Sequence, residues 1–387
     1  MADQAHEHHE KAGASSGGHS HDQRHGDRCH TPAVAEIVKD PVCGMTVDPR
    51  TSKHRASHDG RTFHFCSAGC KAKFEADPAR YLADSSNATA GTSPEGTVYT
   101  CPDALYRRAD WQWAQNHGAT VTHGWKPESG FLKYRWEGYD EALLLYVLGL
   151  GSPTNPLPEC SYAAWASTYR WENCYGYDYL YAGPLFTHQL SHVWIDFRGI
   201  QDAFMRDKGI DYFENSRRAT YVQQRYAMDN PRKFAGYAEH CWGITASEGP
   251  GPSSLMLNGI QRVFDDYVSR GVPYGPDDGT LAPWAVVASL PFAPEIVLRA
   301  IDFCIHQAKL KMFNAYGFKA AFNTTHPGEP GNPYGYWVSP WHFGLNQGPI
   351  VLMIENYRSD LLWRLMRGCP YIIAGLRRAG FSGGWLE

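Results

Sequence analysis

The segment WEGYDEALLLYVLGLGSPTNPLP, residues 136–158, places two acidic residues directly before an uninterrupted apolar stretch. The apolar part, residues 142–151, is about half of the roughly 20 residues that a helix needs to cross a bilayer. We therefore interpret it as a buried core helix, and we expect no membrane span. Asp140 opens this helix, so its side chain either caps the helix or faces a neighbouring cleft.

The rest of the chain from about residue 98 to 387 alternates apolar segments of helical length with Gly- and Pro-rich loops. Apolar residues recur at spacings of three and four, and no long run has a period of two, which favours an all-α architecture. Besides residues 142–151, this pattern predicts helices in SYAAWASTYRW (161–171), SLMLNGIQRVFDDYV (254–268), APEIVLRAIDFCIHQAKLKMF (293–313) and GPIVLMIENYRSDLLWRLM (348–366).

The overall composition excludes some classes of partner. With 387 residues, 43% of them apolar, the chain has enough material for two or three folded domains. A net charge of −4 gives no field that attracts phosphate backbones, so we expect no nucleic-acid partner. The N-terminus has neither the basic start nor the apolar stretch of a secretory signal, which predicts a cytoplasmic protein, or a periplasmic one if the native N-terminus differs.

Composition also predicts the domain boundaries. Residues 1–37 are polar and rich in His, Gly and Ser, so we expect a disordered tail that either binds metal ions loosely or has no role. Residues 38–83 form a compact unit, residues 84–97 are a small, polar linker, and residues 98–387 form the large helical domain.

Three cysteines in the compact unit have the spacing of metal ligands. Cys43, Cys66 and Cys70 follow the pattern C-x22-C-x3-C, with DPVCGM around the first and HFCSAGC around the other two. A tight turn can present the first thiolate while the C-x3-C pair lies at the start of a helix, where thiolates are favoured. The alternative is a metal-free miniature core, but a unit of about 45 residues is marginally stable without metal or disulfide.

These residues, together with Phe74 and DPARYL, resemble the YHS (TRASH-like) domain. The resemblance implies a small treble-clef-like α+β fold and a thiolate site for a soft metal ion such as copper or zinc. The three cysteines leave the fourth ligand open, and the candidates are Met45, His54, His64 and solvent.

The large domain carries acidic residues beside aromatic ones where helices meet loops, as in YFENSRR, GYAEHCWG and DDGT. Carboxylates transfer protons and stabilise an oxocarbenium-like transition state, while Trp and Tyr rings stack on pyranose faces. This composition is typical of a cleft that processes sugars.

The same stretches, from about residue 98 to 385, resemble the glucoamylase-like family, which includes bacterial endo-β-1,2-glucanases and domains of cyclic β-1,2-glucan synthases. The resemblance implies a mainly α, (α/α)6 toroid-like domain and hydrolysis or transfer of β-linked glucan, with β-1,2-glucan favoured over starch. Carried over by motif, the candidate catalytic acids are Glu214 first, then Glu239, Glu141 and Asp278. The candidate substrate-binding residues are Asp140, His188, His192, Trp242 and Arg198.

Each candidate also has a structural interpretation. Glu214 can pair with Arg217 or Arg218 on its own helix, and Asp278 can cap a turn. His188 and His192 are four residues apart like metal ligands, although a hydrogen-bonded pair that touches sugar hydroxyls is favoured. Arg198 can orient carboxylates or form a structural fork, and Trp242 belongs either to the core or to a stacking platform.

Family enzymes carry several helices before the segment that matches YRRADWQW at residues 106–113, so this toroid lacks its first helices. Three explanations stay open: a shortened working enzyme, a partner chain that completes the ring, or an inactive relic. They lead to three functions, namely a glycoside hydrolase or transglycosidase with an accessory metal module, a copper- or zinc-binding protein with an inactive helical domain, and a carbohydrate-binding scaffold.

Overall fold

The computed structural model describes residues 38–43, 46–82, 101–307 and 312–387. It divides the chain into two compact units, Met1–Val98 and Tyr99–Glu387. The predicted tail, the predicted linker and the candidate ligand Met45 lie outside the described residues. Among the residues described, no helix is both long enough and apolar enough to cross a membrane.

The smaller unit consists of short antiparallel strands followed by two helices. The elements are β1 (Val38–Lys39), β2 (Thr46–Val47), β3 (His54–His58), β4 (Arg61–Phe65), α1 (Ala68–Ala76) and α2 (Pro78–Leu82). Strand β3 pairs with β4 around a turn at Asp59 and Gly60, which both have positive φ. Helix α1 packs on this hairpin through the buried ring of Phe74, which lies 5.2 Å from the ring of Phe65 and 4.9 Å from that of Phe63.

The larger unit is built mainly from helices, as the sequence predicts. Single turns of other helix types lie at Leu185–His188, Phe303–Gln307 and Gly384–Leu386. The α-helices are α3 (Cys101–Arg108), α4 (Trp111–Ala114), α5 (Leu143–Gly151), α6 (Cys160–Ala166), α7 (Leu190–Trp194), α8 (Ala203–Lys208), α9 (Tyr212–Asp229), α10 (Pro283–Ala288), α11 (Pro294–Asp302), α12 (Gly344–Ser359), α13 (Leu361–Arg367) and α14 (Pro370–Arg378).

Short antiparallel pairs of strands connect these helices. The strands are β5 (Trp125–Lys126), β6 (Gly130–Phe131), β7 (Trp171–Cys174), β8 (Tyr177–Leu180), β9 (Ala246–Ser247), β10 (Ser253–Leu257), β11 (Ile260–Phe264), β12 (Val268–Ser269), β13 (Phe313–Asn314), β14 (Gly317–Phe318), β15 (Phe322–Asn323) and β16 (Trp337–Val338). Strand β9 pairs with β12 and β15 pairs with β16, so these two pairs join segments that are distant in sequence.

The helix predicted over residues 254–268 is wrong, because this segment forms the β10–β11 hairpin. Its turn is Asn258-Gly259, and both residues have positive φ, as a two-residue hairpin turn requires. The segment 348–366 is also two helices rather than one. Asp360 has a φ of 56° between them, and the Asn356 side chain accepts hydrogen bonds from the backbone N–H groups of Leu362 and Trp363 in the first turn of α13.

Helices α5 and α14 touch backbone to backbone, which joins an early part of the larger unit to its last helix. A Cβ atom built on Gly375 would lie 1.9 Å from the carbonyl oxygen of Val147, and one built on Gly151 would lie 2.1 Å from that of Tyr371. Arg378 donates to the carbonyl oxygen of Leu150 at 2.6 Å, near the carboxyl end of α5. Glycine is therefore required at both positions of this contact.

Candidate functional site

Two adjoining cavities in the larger unit share Glu141 and Phe186 as lining residues. Their volumes are about 580 and 330 Å³, which suits a ligand of oligosaccharide size. Other lining residues of the first cavity include Leu190, Glu248, Asp266, Tyr267, Trp284, Phe343, Leu345 and Asn346, and the second is lined by Glu137, Tyr139, Asp140, Arg170 and Tyr181 among others.

The local fold explains why acidic residues meet aromatic ones here. The loop before α5 carries Asp140 and Glu141, while Glu248 directly follows β9. The β9–β12 pair connects the two cavities, since Ser247 lines the first and Ser269 the second. A helix terminus and strand ends thus bring several carboxylates to these two adjoining cavities.

Asp140 has an environment suited to proton transfer near neutral pH. Burial raises its pKa to about 7. The hydrogen bonds that its Oδ1 atom accepts from the Ala142 backbone at 2.9 Å and from Trp165 Nε1 at 3.2 Å act in the opposite direction and lower the pKa. Asp140 does not cap α5, because that helix begins after Ala142 without a side-chain cap.

Two further carboxyls in the cavities are also shifted toward the protonated form. Burial raises the pKa of Glu141, with the nearby His123 acting in the opposite direction. Burial and the charge of Asp266 raise the pKa of Glu248, which accepts a hydrogen bond from Ser339 Oγ. Carboxyls with raised pKa values are the groups that glycosidases use as general acids.

Glu248 was not predicted from sequence, although it follows Glu239 by nine residues. The sequence feature that could have indicated it is an acidic residue between the small residues Ala246-Ser247 and the pair Gly249-Pro250. Glu239, in contrast, is exposed in a loop and lines neither cavity, and its backbone carbonyl accepts from Gln224.

Glu214 lies outside both cavities, in the first turn of α9. It pairs with Arg218 at 2.9 Å and with Arg217 at 3.5 Å, which is the structural interpretation given above. Asp278 is also an ion-pair partner. It accepts two hydrogen bonds of 2.7 Å from Arg270 and is almost fully buried, so it does not reach a ligand in either cavity.

Three predicted substrate-binding residues belong to the core instead. His188 and His192 are fully buried, and burial lowers their pKa values to about 4 and about 3. His188 Nε2 contacts the carbonyl oxygen of Ala182 at 3.2 Å, and His192 Nε2 contacts Ser216 Oγ at 3.0 Å. Trp242 is only 2% exposed, so these three side chains offer almost no surface to a sugar.

Arg198 forms a structural fork. Its guanidinium donates two hydrogen bonds to Asp196, at 2.8 and 3.0 Å, and lies 3.1 Å from an oxygen of Asp360. It also stacks over the ring of Trp363, with 4.4 Å from Cζ to the ring centroid. Of the predicted substrate-binding residues, Asp140 is therefore the one that the structure places in a cavity.

The smaller unit brings the three predicted metal ligands together. The Sγ atoms of Cys43 and Cys66 are 3.5 Å apart, and those of Cys66 and Cys70 are 3.7 Å apart. Zinc–thiolate bonds of about 2.3 Å at the tetrahedral angle place two sulfurs about 3.8 Å apart, so the spacing fits such an ion. Ser67 caps α1 by accepting from the backbone of Cys70, which fixes that residue in the first helical turn, as predicted.

The fourth group in this cluster is Asp40, which the sequence analysis did not consider. One ligand atom from each of Asp40 and the three cysteines fits within 4.8 Å of the others. Hydrogen bonding with Asp40 and then with Cys43 raises the pKa of the Cys66 thiol to about 12, so without a cation the thiol form is favoured despite the helix N-terminus. A bound cation would supply the positive charge that holds these thiols as thiolates.

Comparison with known proteins agrees with this architecture. The family model described as "Putative glucoamylase" (Glycoamylase) matches residues 133–370. The chain belongs to the Glycoamylase family. The matched range includes the lining carboxylates Asp140, Glu141 and Glu248.

Solved structures of Glycoamylase-like proteins confirm the predicted (α/α) toroid-like fold class. A "putative glucoamylase" from Bacteroides uniformis is 32% identical, with a TM-score of 0.63, over 74% of this chain and 65% of its own. The endo-β-1,2-glucanase of Chitinophaga pinensis, solved with sophorotriose and glucose, is 29% identical, with a TM-score of 0.63, over 73% and 64%.

A characterised relative of this Glycoamylase domain is the exo β-1,2-glucooligosaccharide sophorohydrolase (non-reducing end) of Parabacteroides distasonis. It is 27% identical over 71% of this chain and 38% of its own length. The chain thus spans less than two thirds of the length of each of these three relatives.

The smaller unit is a YHS domain, since the YHS family model matches residues 38–84. A copper-transporting P-type ATPase from Rhizobium leguminosarum bv. viciae is 46% identical over a segment that makes up 18% of this chain and 14% of the ATPase. The predicted combination of a YHS domain and a glucoamylase-like domain is confirmed.

Proposed function

We propose that the larger unit is a glycoside hydrolase or transglycosidase that acts on β-1,2-linked glucan. The observation that carries this proposal is that Asp140, Glu141 and Glu248, each with a raised pKa, line two adjoining cavities that share Glu141. The relatives named above as β-1,2-glucan-degrading enzymes support the substrate class.

In this proposal the three carboxyls share the acid and base roles. A protonated carboxyl donates its proton to the departing glycosidic oxygen, and an ionised one accepts a proton from the attacking water or sugar hydroxyl. Phe186 and Tyr267 line the first cavity and provide ring surface for pyranose faces. Glu214, Glu239 and Asp278 are not assigned an acid–base role, because they line neither cavity.

The deciding experiment measures reducing ends released from linear β-1,2-glucan by the full chain and by four variants. We expect Glu141→Gln and Glu248→Gln to lose at least about 100-fold in rate, the contribution of a positioned acid or base. The controls Glu214→Gln and Glu239→Gln remove a carboxylate outside the cavities and should stay within about threefold of the parent. If Glu214→Gln abolished cleavage while Glu141→Gln and Glu248→Gln kept the parent's rate, the sequence-based choice of Glu214 as the first catalytic acid would be restored.

The smaller unit favours a second function, the binding of a soft or borderline metal ion by the three cysteines and Asp40. It operates beside glucan cleavage if the shortened toroid is active, or alone if the toroid is an inactive relic or awaits a partner chain. A folded parent that releases no reducing ends but binds a metal ion would select the metal-binding function.

A further inference from the structure

We propose that the YHS unit is built for a divalent ion of the zinc type, with the Asp40 carboxylate as its fourth ligand, and that this carboxylate disfavours Cu(I). The inference rests on the proposed metal-binding function and specifies the donor set and the ion. Asp40 is a carboxylate, a ligand type that the cysteine spacing does not reveal.

The Asp40 carboxylate is held in place and still has acceptor capacity. It is 1% exposed, and its Oδ1 and Oδ2 atoms accept hydrogen bonds from the backbone N–H groups of Val42 at 2.8 Å and Cys66 at 2.9 Å. An ionised carboxylate has about four lone-pair sites. Those that the backbone bonds leave take part in hydrogen bonds with the Cys66 and Cys43 thiols, and they become available to an ion once these thiols lose their protons. Ligating carboxylates in metal sites are oriented by such outer hydrogen bonds.

The two hydrogen bonds also tie Asp40 to two of the other ligands. Val42 directly precedes Cys43, and the second bond comes from the backbone of Cys66 itself. A zinc–oxygen bond of about 2.1 Å beside zinc–sulfur bonds of about 2.3 Å places oxygen and sulfur roughly 3.6 Å apart. The four ligand atoms of the cluster lie within 4.8 Å of one another, so side-chain shifts of about 1 Å would bring them to these separations.

Charge and ligand type then select the ion. Three thiolates and one carboxylate carry four negative charges, so a divalent ion leaves a net charge of −2 and a monovalent ion leaves −3. Carboxylate oxygen is a good ligand for zinc, whereas Cu(I) is selected by soft sulfur ligands and gains little from oxygen. Asp40 therefore strengthens the binding of a divalent ion. For Cu(I), its negative charge mainly repels the anionic Cu(I)–thiolate complex and weakens binding.

The competing interpretation gives Asp40 only the role of holding the loop. Asp48 supplies a matched control, because it accepts a hydrogen bond from the backbone of Arg50 in the same kind of turn and lies outside the cluster. Asp40→Asn keeps an acceptor oxygen and removes the anionic ligand. Asp40→Cys removes the hydrogen bonds from the backbones of Val42 and Cys66 and supplies a soft ligand at the same position.

The test uses the full-length protein with Co(II) as a spectroscopic substitute for zinc. The thiolate-to-cobalt charge-transfer band reports the cysteine site, and imidazoles of the His-rich N-terminal segment give no such band. Cu(I) affinity is measured by competition with a chromophoric Cu(I) chelator. We expect Asp40→Asn to weaken Co(II) binding by at least about 10-fold, the scale set by losing groups around a metal. Its Cu(I) affinity should not fall and should rise, by up to about threefold, because the repelling charge is removed.

Asp48→Asn should bind Co(II) and Cu(I) with the same affinities as the parent. Asp40→Cys should retain Co(II) binding and show a stronger charge-transfer band. Unchanged Co(II) affinity in Asp40→Asn would overturn the assignment of Asp40. An equal loss of Co(II) and Cu(I), together with loss of Co(II) binding in Asp40→Cys, would show that Asp40 only holds the loop. A parent protein without any charge-transfer band would instead overturn the metal-binding function itself.

Discussion

Replacing Asp278 by Asn should destabilise the larger unit severely and should not act through the chemical step. Arg270 has no exposed side-chain surface, and its guanidinium donates to both oxygens of Asp278 at 2.7 Å. Asp278 also accepts from the backbone of Asp265 and of Thr280. Asparagine keeps one acceptor oxygen but leaves the buried guanidinium without its counter-charge.

Breaking a buried ion pair from one side costs about 3 to 5 kcal/mol, a large part of a typical native stability of about 5 to 15 kcal/mol. At about 2 to 4 °C per kcal/mol for a domain of this size, the melting temperature should fall by roughly 6 to 20 °C. Tryptophan fluorescence is the appropriate probe, because all 13 tryptophans of the chain lie in the larger unit.

The matched control is Glu172→Gln, which removes the acid of a surface pair with Arg170 at 2.8 Å. Exposed pairs contribute about 0 to 1 kcal/mol, so this variant should melt within about 4 °C of the parent. The reasoning fails if Asp278→Asn melts with the parent yet no longer cleaves glucan, since Asp278 would then act in the reaction.

Two further predictions follow from the raised pKa of Asp140 and from the contact of α5 with α14. Because the folded-state pKa of Asp140 is about 7 and its ordinary value is 3.8, its contribution to stability should be fully present below pH 3.8 and lost as pH rises to about 7. Urea midpoints should therefore show Asp140→Asn gaining on the parent between pH 4 and pH 8, whereas a constant difference would contradict the burial argument. Gly375→Ala should cost about 1 to 3 kcal/mol in urea unfolding, because the added methyl meets the Val147 carbonyl, while Gly348→Ala has open space in α12 and should be neutral or stabilising by up to about 1 kcal/mol. If the two alanine variants had equal free energies of unfolding, α5 and α14 could move apart without loss of stability.

The helical part of the fold was accessible from sequence because long apolar segments with helical spacing have few alternatives. Residues 142–151 were assigned correctly for this reason. The error at residues 254–268 arose because apolar residues at spacings of three and four outweighed Asn258-Gly259, a pair that strongly favours a hairpin turn. The helix break at Asp360 was not predicted, because it depends on the Asn356 side chain accepting hydrogen bonds from the first turn of α13, and the sequence does not show that contact.

The site was accessible only in part. Asp140 and Glu141 were named as candidates because their motif precedes a buried apolar helix, and the structure places both at a cavity. Glu214 and Asp278 have the same residue types in equally suggestive motifs, but their arginine partners are recognised only in three dimensions. Asp40 was missed because cysteine spacing directs attention to sulfur and histidine ligands.

The backbone contact between α5 and α14 also has a consequence for synthesis on the ribosome. Leu150 and Arg378, which hydrogen-bond across it, are 228 positions apart in the chain. At about 5 to 20 residues per second, α5 waits roughly 10 to 45 s after its own translation before its partner helix exists. During that time the apolar segment LLLYVLGLG has no α14 to cover it, which makes the nascent chain a substrate for chaperones that bind exposed apolar segments.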